Sequence, residues 1–298
     1  MAREKDWRPG RGARSTTSRR AGVWRRALLR EVAGLRTPRR LAAAVLLGVV
    51  GGVVLAALLS RGDASGADAQ AYWAAGRLWL AGGDPYHPAG PFMPYVYSPW
   101  LLPAFTPWAM MPWDVAWFVW RGATVMALLW SVDWAYRRRP LATAVLLAAL
   151  AAPMAINLDT GNVNLPLALA LFGAQFAGPR LAGLVWALAT TLKWAPAVLW
   201  PLLSRGARRW GAAWLGVAAL LTLLTLPETI VQISVLVGFP RPPRIDYAVF
   251  AWAAVPWLYT HPEALRTAAL TRLSAALRTA MARASARAER ARQPSAVD

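Results

Sequence analysis

The 298-residue sequence has no cysteine, which excludes disulfides and thiol chemistry and leaves the redox compartment unread. Histidine is nearly absent too. His87 and His261 are the only two, too few for a recognisable metal cage, and the carboxylates are scattered, so no metal and no cofactor is expected. There is no Walker A loop, no GxGxxG after a strand, no HExxH and no CxxC, which removes any visible site for nucleotide-dependent chemistry. Lysine occurs only at Lys5 and Lys193, with arginine supplying almost all the positive charge. Charged residues make up just 16% of a chain that is 57% hydrophobic and carries 18 tryptophans, too apolar for an ordinary soluble domain.

What is present fits an all-α, polytopic transmembrane helix bundle, with room for about eight spans at roughly 20 residues each. The net charge of +19 would suggest nucleic acid, but the arginines lie mainly in two terminal tails and in short loops between apolar runs. That is the pattern of cytoplasmic membrane flanks, so membrane lipids are the expected partner and nucleic acid is not. The chain divides into a basic cytoplasmic tail over 1–40, a transmembrane domain over 41–260, and a basic amphipathic helix and tail over 261–298. In the last of these, THPE at 260–263 has the form of a capping box, with Thr260 as N-cap and Glu263 reaching back.

The run LAAAVLLGVVGGVVLAALL over 41–59 reads as the first span, leading out of the cytoplasm. The longest polar stretch between spans follows, an outer loop over 60–96 in which AQAYWAAGRLWLA predicts a short amphipathic helix ended by Gly82, Gly83 and Pro85. Further apolar segments fall at about 97–112, 115–135, 141–157, 164–178, 181–203, 210–227 and 247–259. A parity conflict arises among them. Arg137 to Arg139 and the group Arg205, Arg208 and Arg209 both belong in the cytoplasm, yet three segments separate them. One of the three must re-enter, and Pro196 makes 181–203 the candidate for a broken helix lining a cavity.

Several residues have the right chemistry for a site. Asp68, in an outer loop rich in tyrosine and glycine, suits a general base for a hydroxyl, although by spacing alone Asp63 and Asp84 are equally available. In LDTGNVNLP at 158–166, Gly161 can take a positive φ and either Asn162 or Asn164 can cap the next helix; the same amides suit sugar hydroxyls. Lys193 stands inside an apolar segment, where a charge costs roughly 2.5–3.5 kcal/mol and so usually faces a cavity or a ligand. An ammonium there suits a phosphate drawn from the headgroup layer; the alternative is a helix break that brings it to an interface.

In order along the chain, Asp68-Ala-Gln-Ala-Tyr72, Gly83-Asp84-Pro85-Tyr86, Tyr95-Val-Tyr97-Ser-Pro99, Gly161-Asn-Val-Asn164 and Ala182-Gly183 leading to Lys193-Trp-Ala-Pro196 together resemble glycosyltransferase family 87. These are GT-C membrane enzymes that take a sugar from a polyprenyl phosphate. The chain departs in having Gly161-Asn162 where the family usually has GQ, and Trp194 where a tyrosine is usual; it is also C-terminally shorter than typical members. The resemblance implies an inverting transfer on the outer face of a plasma membrane, from a polyprenyl-phosphate sugar, mannose first and arabinofuranose next, to a glycan or glycolipid acceptor. It implies Asp68 as general base and Lys193 at the donor phosphate, with Tyr72, Asp84, Tyr86, Tyr97, Asn162 and Asn164 around sugar or acceptor. The shortness leaves two expectations, a partner membrane subunit that completes the lipid groove or a degenerate member of the family. The competing expectations are a lipid-linked-sugar transporter or flippase, and a non-catalytic membrane subunit.

Overall fold

The structure, a computed structural model, describes residues 37–61, 65–90, 92–238 and 244–261. The basic segments expected before and after the bundle lie outside these residues. Every regular element among the described residues is helical. Helix α1, Pro38–Ser60, has proline at its first position and apolar residues all round, with Leu41, Val45, Val49 and Val53 exposed, as suits a lipid-facing helix. The expected outer-loop helix is α2, Ala67–Leu80, which ends where Gly82 takes a positive φ. After the short α3, Leu102–Ala109, comes α4, Trp113–Arg138, at ~1.5 Å per residue long enough to cross a bilayer. Asp114 in its first turn and Arg137 and Arg138 in its last complement the helix dipole.

The following apolar segments are bent or short. Helices α5, Pro140–Ala149, and α6, Ala151–Thr160, meet at 61°. Helix α7, Asn164–Ala174, runs back, and α8, Pro179–Leu192, returns toward the level of α2. A 3-10 segment, Ala195–Leu202, then leads to α9, Arg205–Leu224, which turns through 95° at Thr225 and Pro227 into α10, Leu226–Gly238. The described residues close with a 3-10 turn, Arg244–Val249, and two short helices, α11, Phe250–Ala253, and α12, Val255–Thr260. Two described helices are long and apolar enough to cross a membrane, or four if each bent pair is one span, against the eight that hydropathy suggested. Thr260 ends α12 and its hydroxyl donates to the Pro256 carbonyl; the helix it was expected to start lies outside the described residues.

The expected helix break falls just ahead of Pro196. A proline at 196 lacks the N–H that would bond the Leu192 carbonyl, and its ring crowds that carbonyl, so α8 cannot continue. Lys193 is extended at the break (φ −143°, ψ 127°), and the 3-10 segment folds back along α8: Trp186 Nε1 donates to the Pro196 carbonyl at 3.0 Å, and its ring lies 4.8 Å from that of Trp200. Segment 181–203 therefore leaves and returns, and the Arg137–Arg139, Arg180 and Arg205–Arg209 groups share one end of the bundle. We call this the arginine end and the opposite one the site end.

Helices α8 and α9 run side by side in the same direction through small residues. A Cβ on Gly183 would lie 2.6 Å from both the Ala207 carbonyl oxygen and the Gly211 nitrogen. Backbone atoms cannot swing aside as a side chain can. Gly183→Ala is expected to force the two helices apart at a cost of about 1–3 kcal/mol, read as a lowered thermal unfolding midpoint in detergent. An unchanged midpoint would show that the helices are not packed this closely.

Candidate functional site

The site end is built around the turn between α6 and α7. Gly161 there has φ +68°, and its missing Cβ lets the ring of Trp117 and the methyl of Ala69 close over the backbone. Ahead of α2, Gly66, with φ +88°, donates its N–H to the Asp159 carbonyl at 2.7 Å, while Arg61 pairs with the Asp159 carboxylate at 3.1 Å. These contacts fix the first turn of α2, and Asp68 with it, against the turn.

Asp68 is half-buried and accepts a hydrogen bond through Oδ2 from Asn162 Nδ2 at 2.9 Å. Asn162 Oδ1 in turn accepts from the Asn164 backbone N–H at 3.0 Å, closing a short side-chain turn just ahead of α7, whose N-cap position is Val163; neither asparagine is the expected cap, and Asn162 holds the turn with one end of its amide and Asp68 with the other. Asn164 is fully buried and its Nδ2 donates to Asp246 Oδ2 at 2.7 Å. Asn157 Nδ2 donates to the Asp246 backbone carbonyl at 3.1 Å. Two carboxylates are thus joined by one polar rail, Asp68, Asn162, Asn164, Asp246.

Tyr97 faces this rail. Its hydroxyl is 3.1 Å from that of Tyr72, and its backbone carbonyl accepts from the Tyr86 hydroxyl at 3.1 Å. Burial pushes the Tyr97 hydroxyl well above its ordinary pKa, and the nearby charges of Asp68 and Asp246 raise it further. The Tyr72 hydroxyl is raised as well, by burial first, then by Tyr97 and Asp68. Both remain neutral hydrogen-bonding groups at physiological pH.

Lys193, half-buried at the break after α8, places Nζ 5.0 Å from the centre of the Tyr97 ring and 5.6 Å from that of Tyr247. Asp68 and Lys193 therefore converge on the same tyrosine. Asp84 does not join them. It lies exposed in its own turn, accepting from the Tyr86 N–H at 2.8 Å and lying 2.7 Å from His87 Nδ1. Its slight burial would raise its carboxyl pKa, but the His87 and Tyr86 hydrogen bonds outweigh this and hold it below the ordinary value.

The ring of Tyr72 also packs on Phe105 and Trp120, with centroids 5.6 and 6.1 Å away. Behind those two side chains lies an apolar cavity of 510 Å³ between α3, α4 and α7, also lined by Trp108, Thr124, Trp130 and Leu169. Three residues of the site end escaped the sequence reading: Asp246, Tyr247 and Asn157. So did Arg121, whose guanidinium stacks 5.4 Å from Trp117 partway down α4. A lone base inside an apolar stretch was the available signal for Arg121; Asp246 stands just ahead of one, among prolines and arginines.

The fold and the site define a membrane-embedded helical protein that gathers carboxylates, amides and an ammonium at one end of its bundle. The chain belongs to glycosyltransferase family 87, whose model matches residues 95–297, and is accordingly a membrane glycosyltransferase by family. Tyr97, Asn162, Asn164, Lys193 and Asp246 fall within the match, whereas Asp68, Tyr72, Asp84 and Tyr86 precede it. No curated protein matches the chain, and no solved structure does.

Proposed function

We propose that the protein moves a sugar, mannose first and arabinofuranose as the next donor to test, from a polyprenyl phosphate to an acceptor hydroxyl with inversion. The observation that carries this reading is the convergence of Asp68 and Lys193 on Tyr97. Asn162 holds one oxygen of Asp68, and the other has no hydrogen-bond partner among the described residues. That free oxygen takes the proton of the acceptor hydroxyl as its oxygen bonds to the anomeric carbon. The bond from that carbon to the phosphate breaks on the opposite side, and the lipid phosphate leaves with the electron pair. Lys193 offsets the charge it gains, and Tyr72, Tyr97, Asn162 and Asn164 frame the sugar and acceptor. The apolar cavity behind Tyr72 suits the prenyl chain of a lipid donor, and a plasma-membrane site facing outward explains the use of one.

The test uses the full chain in lipid vesicles with radiolabelled polyprenyl-phosphate mannose or arabinofuranose and a membrane acceptor extract. Wild type is expected to transfer label from one donor to an acceptor in the opposite anomeric configuration. Lys193→Met should be slower by about 10²–10³, the usual loss when one donor to a developing anion is removed. Movement of the donor across the vesicle without transfer would identify a flippase instead. If neither donor is used or moved, the reading fails.

A further inference from the structure

Resting on that reading, we propose that Asp246, together with the indole of Trp194 that packs on the neighbouring Tyr247, is the subsite that binds the transferred sugar: the carboxylate takes its ring hydroxyls and the indole its apolar face. Asp246 is anchored more firmly than a chance loop acid. Asn164 grips its side chain at 2.7 Å and Asn157 its backbone carbonyl at 3.1 Å, two amides from different turns of α6 and α7. Like Asp68, it has one oxygen held by an asparagine and the other without a hydrogen-bond partner among the described residues. The two carboxylates sit at opposite ends of one rail, linked through Asn162 and Asn164.

An inverting transfer uses a single base, which leaves the second carboxylate for another task. Charged acceptors discriminate strongly between a ring with a hydroxyl and one without, because a missing hydroxyl leaves the carboxylate desolvated and unpaired. Trp194 supplies the complementary element. It is 58% exposed, follows Lys193 at the break, and meets the ring of Tyr247, the residue after Asp246, edge-on at 5.7 Å. A carboxylate and an aromatic plane joined through one tyrosine supply the two kinds of contact a sugar offers, to its hydroxyls and to its C–H face. Lys193, which leans on the same Tyr247, then lies where the phosphate joins the sugar.

Equilibrium binding to the full chain in nanodiscs tests the assignment, using polyprenyl-phosphate mannose, its arabinofuranose counterpart, and mannose donors each lacking one ring hydroxyl. Wild type is expected to bind the complete donor about tenfold or more tightly than at least one deoxy donor, the scale of a lost charge-assisted hydrogen bond. Asp246→Asn should bind the complete donor weakly and no longer distinguish it from that deoxy donor. Trp194→Ala should weaken both donors alike and keep their ratio. If Asp246→Asn weakens every donor equally but preserves the discrimination, Asp246 only holds the 244–249 turn and the proposal is overturned. Undiminished binding overturns it as well. If wild type binds neither lipid-linked sugar, the glycosyltransferase reading itself is what fails.

Discussion

Asp68→Asn is expected to slow sugar transfer by about 10²–10⁴, the usual contribution of a positioned general base, while leaving donor binding and the unfolding midpoint near wild type. The substitution is nearly isosteric. An asparagine can keep a carbonyl oxygen toward Asn162 Nδ2, so the 2.9 Å contact that ties α2 to the turn before α7 survives. What is lost is the ability to take a proton, and the loss should appear in kcat rather than in KM. Asp133→Asn, at the arginine end and paired there with Arg137 at 2.8 Å, is the matching control and should transfer label at the wild-type rate. Full activity in Asp68→Asn would remove Asp68 from the reaction and return the role of base to another acid of the site end, Asp246 first.

The sequence carried the local features well because they depend on neighbours. The apolar run at 41–59 became α1, the amphipathic pattern at 69–81 became α2, and Gly161 took the positive φ that its turn required. The break at Pro196 was legible for the same reason, since one missing N–H decides it. The count of spans was not, because hydropathy does not register where a helix bends or stops. Helices α7 and α8 are apolar but short, and α5 with α6 crosses as a bent pair if it crosses at all. Helix α10 went unseen because Pro227 and Glu228, in its first turn, read as the end of a segment.

The site was legible only in part, and by the same rule. Asn162 and Asn164 share one turn, and that turn could be picked out whole. Asp246 reaches Asn164 across 82 positions of sequence, and nothing near it in RPPRIDYAVF marks it as a partner. Lys193 drew attention for its cost in lipid, but its surroundings differ from a mid-span charge. The helix ends beneath it, which brings the ammonium to two tyrosine faces at the site end. The break that relieves the cost is also what presents the charge.

Gly161→Ala is expected to cost about 2–4 kcal/mol in stability and to abolish transfer with it, since the methyl is both conformationally strained and sterically blocked. At φ +68° a Cβ meets its own backbone, and here it would also lie 2.6 Å from the Ala69 methyl and 2.7 Å from the Trp117 ring. Relief requires α2 or α4 to move away from the turn. Ala69 adjoins Asp68 and Gly161 adjoins Asn162, so either movement stretches the hydrogen bond that orients the base. A displacement of even about 1 Å is enough to cost a reaction some two orders of magnitude. Gly173, in α7 with open space around it, is the contrasting position: Gly173→Ala should be neutral or stabilise the helix by about 0.5–1 kcal/mol. Unfolding midpoints of both variants, measured beside transfer in vesicles, separate the cases. A Gly161→Ala protein with wild-type stability and activity would mean that α2, α4 and this turn do not close on one another, and that Asp68 is held some other way.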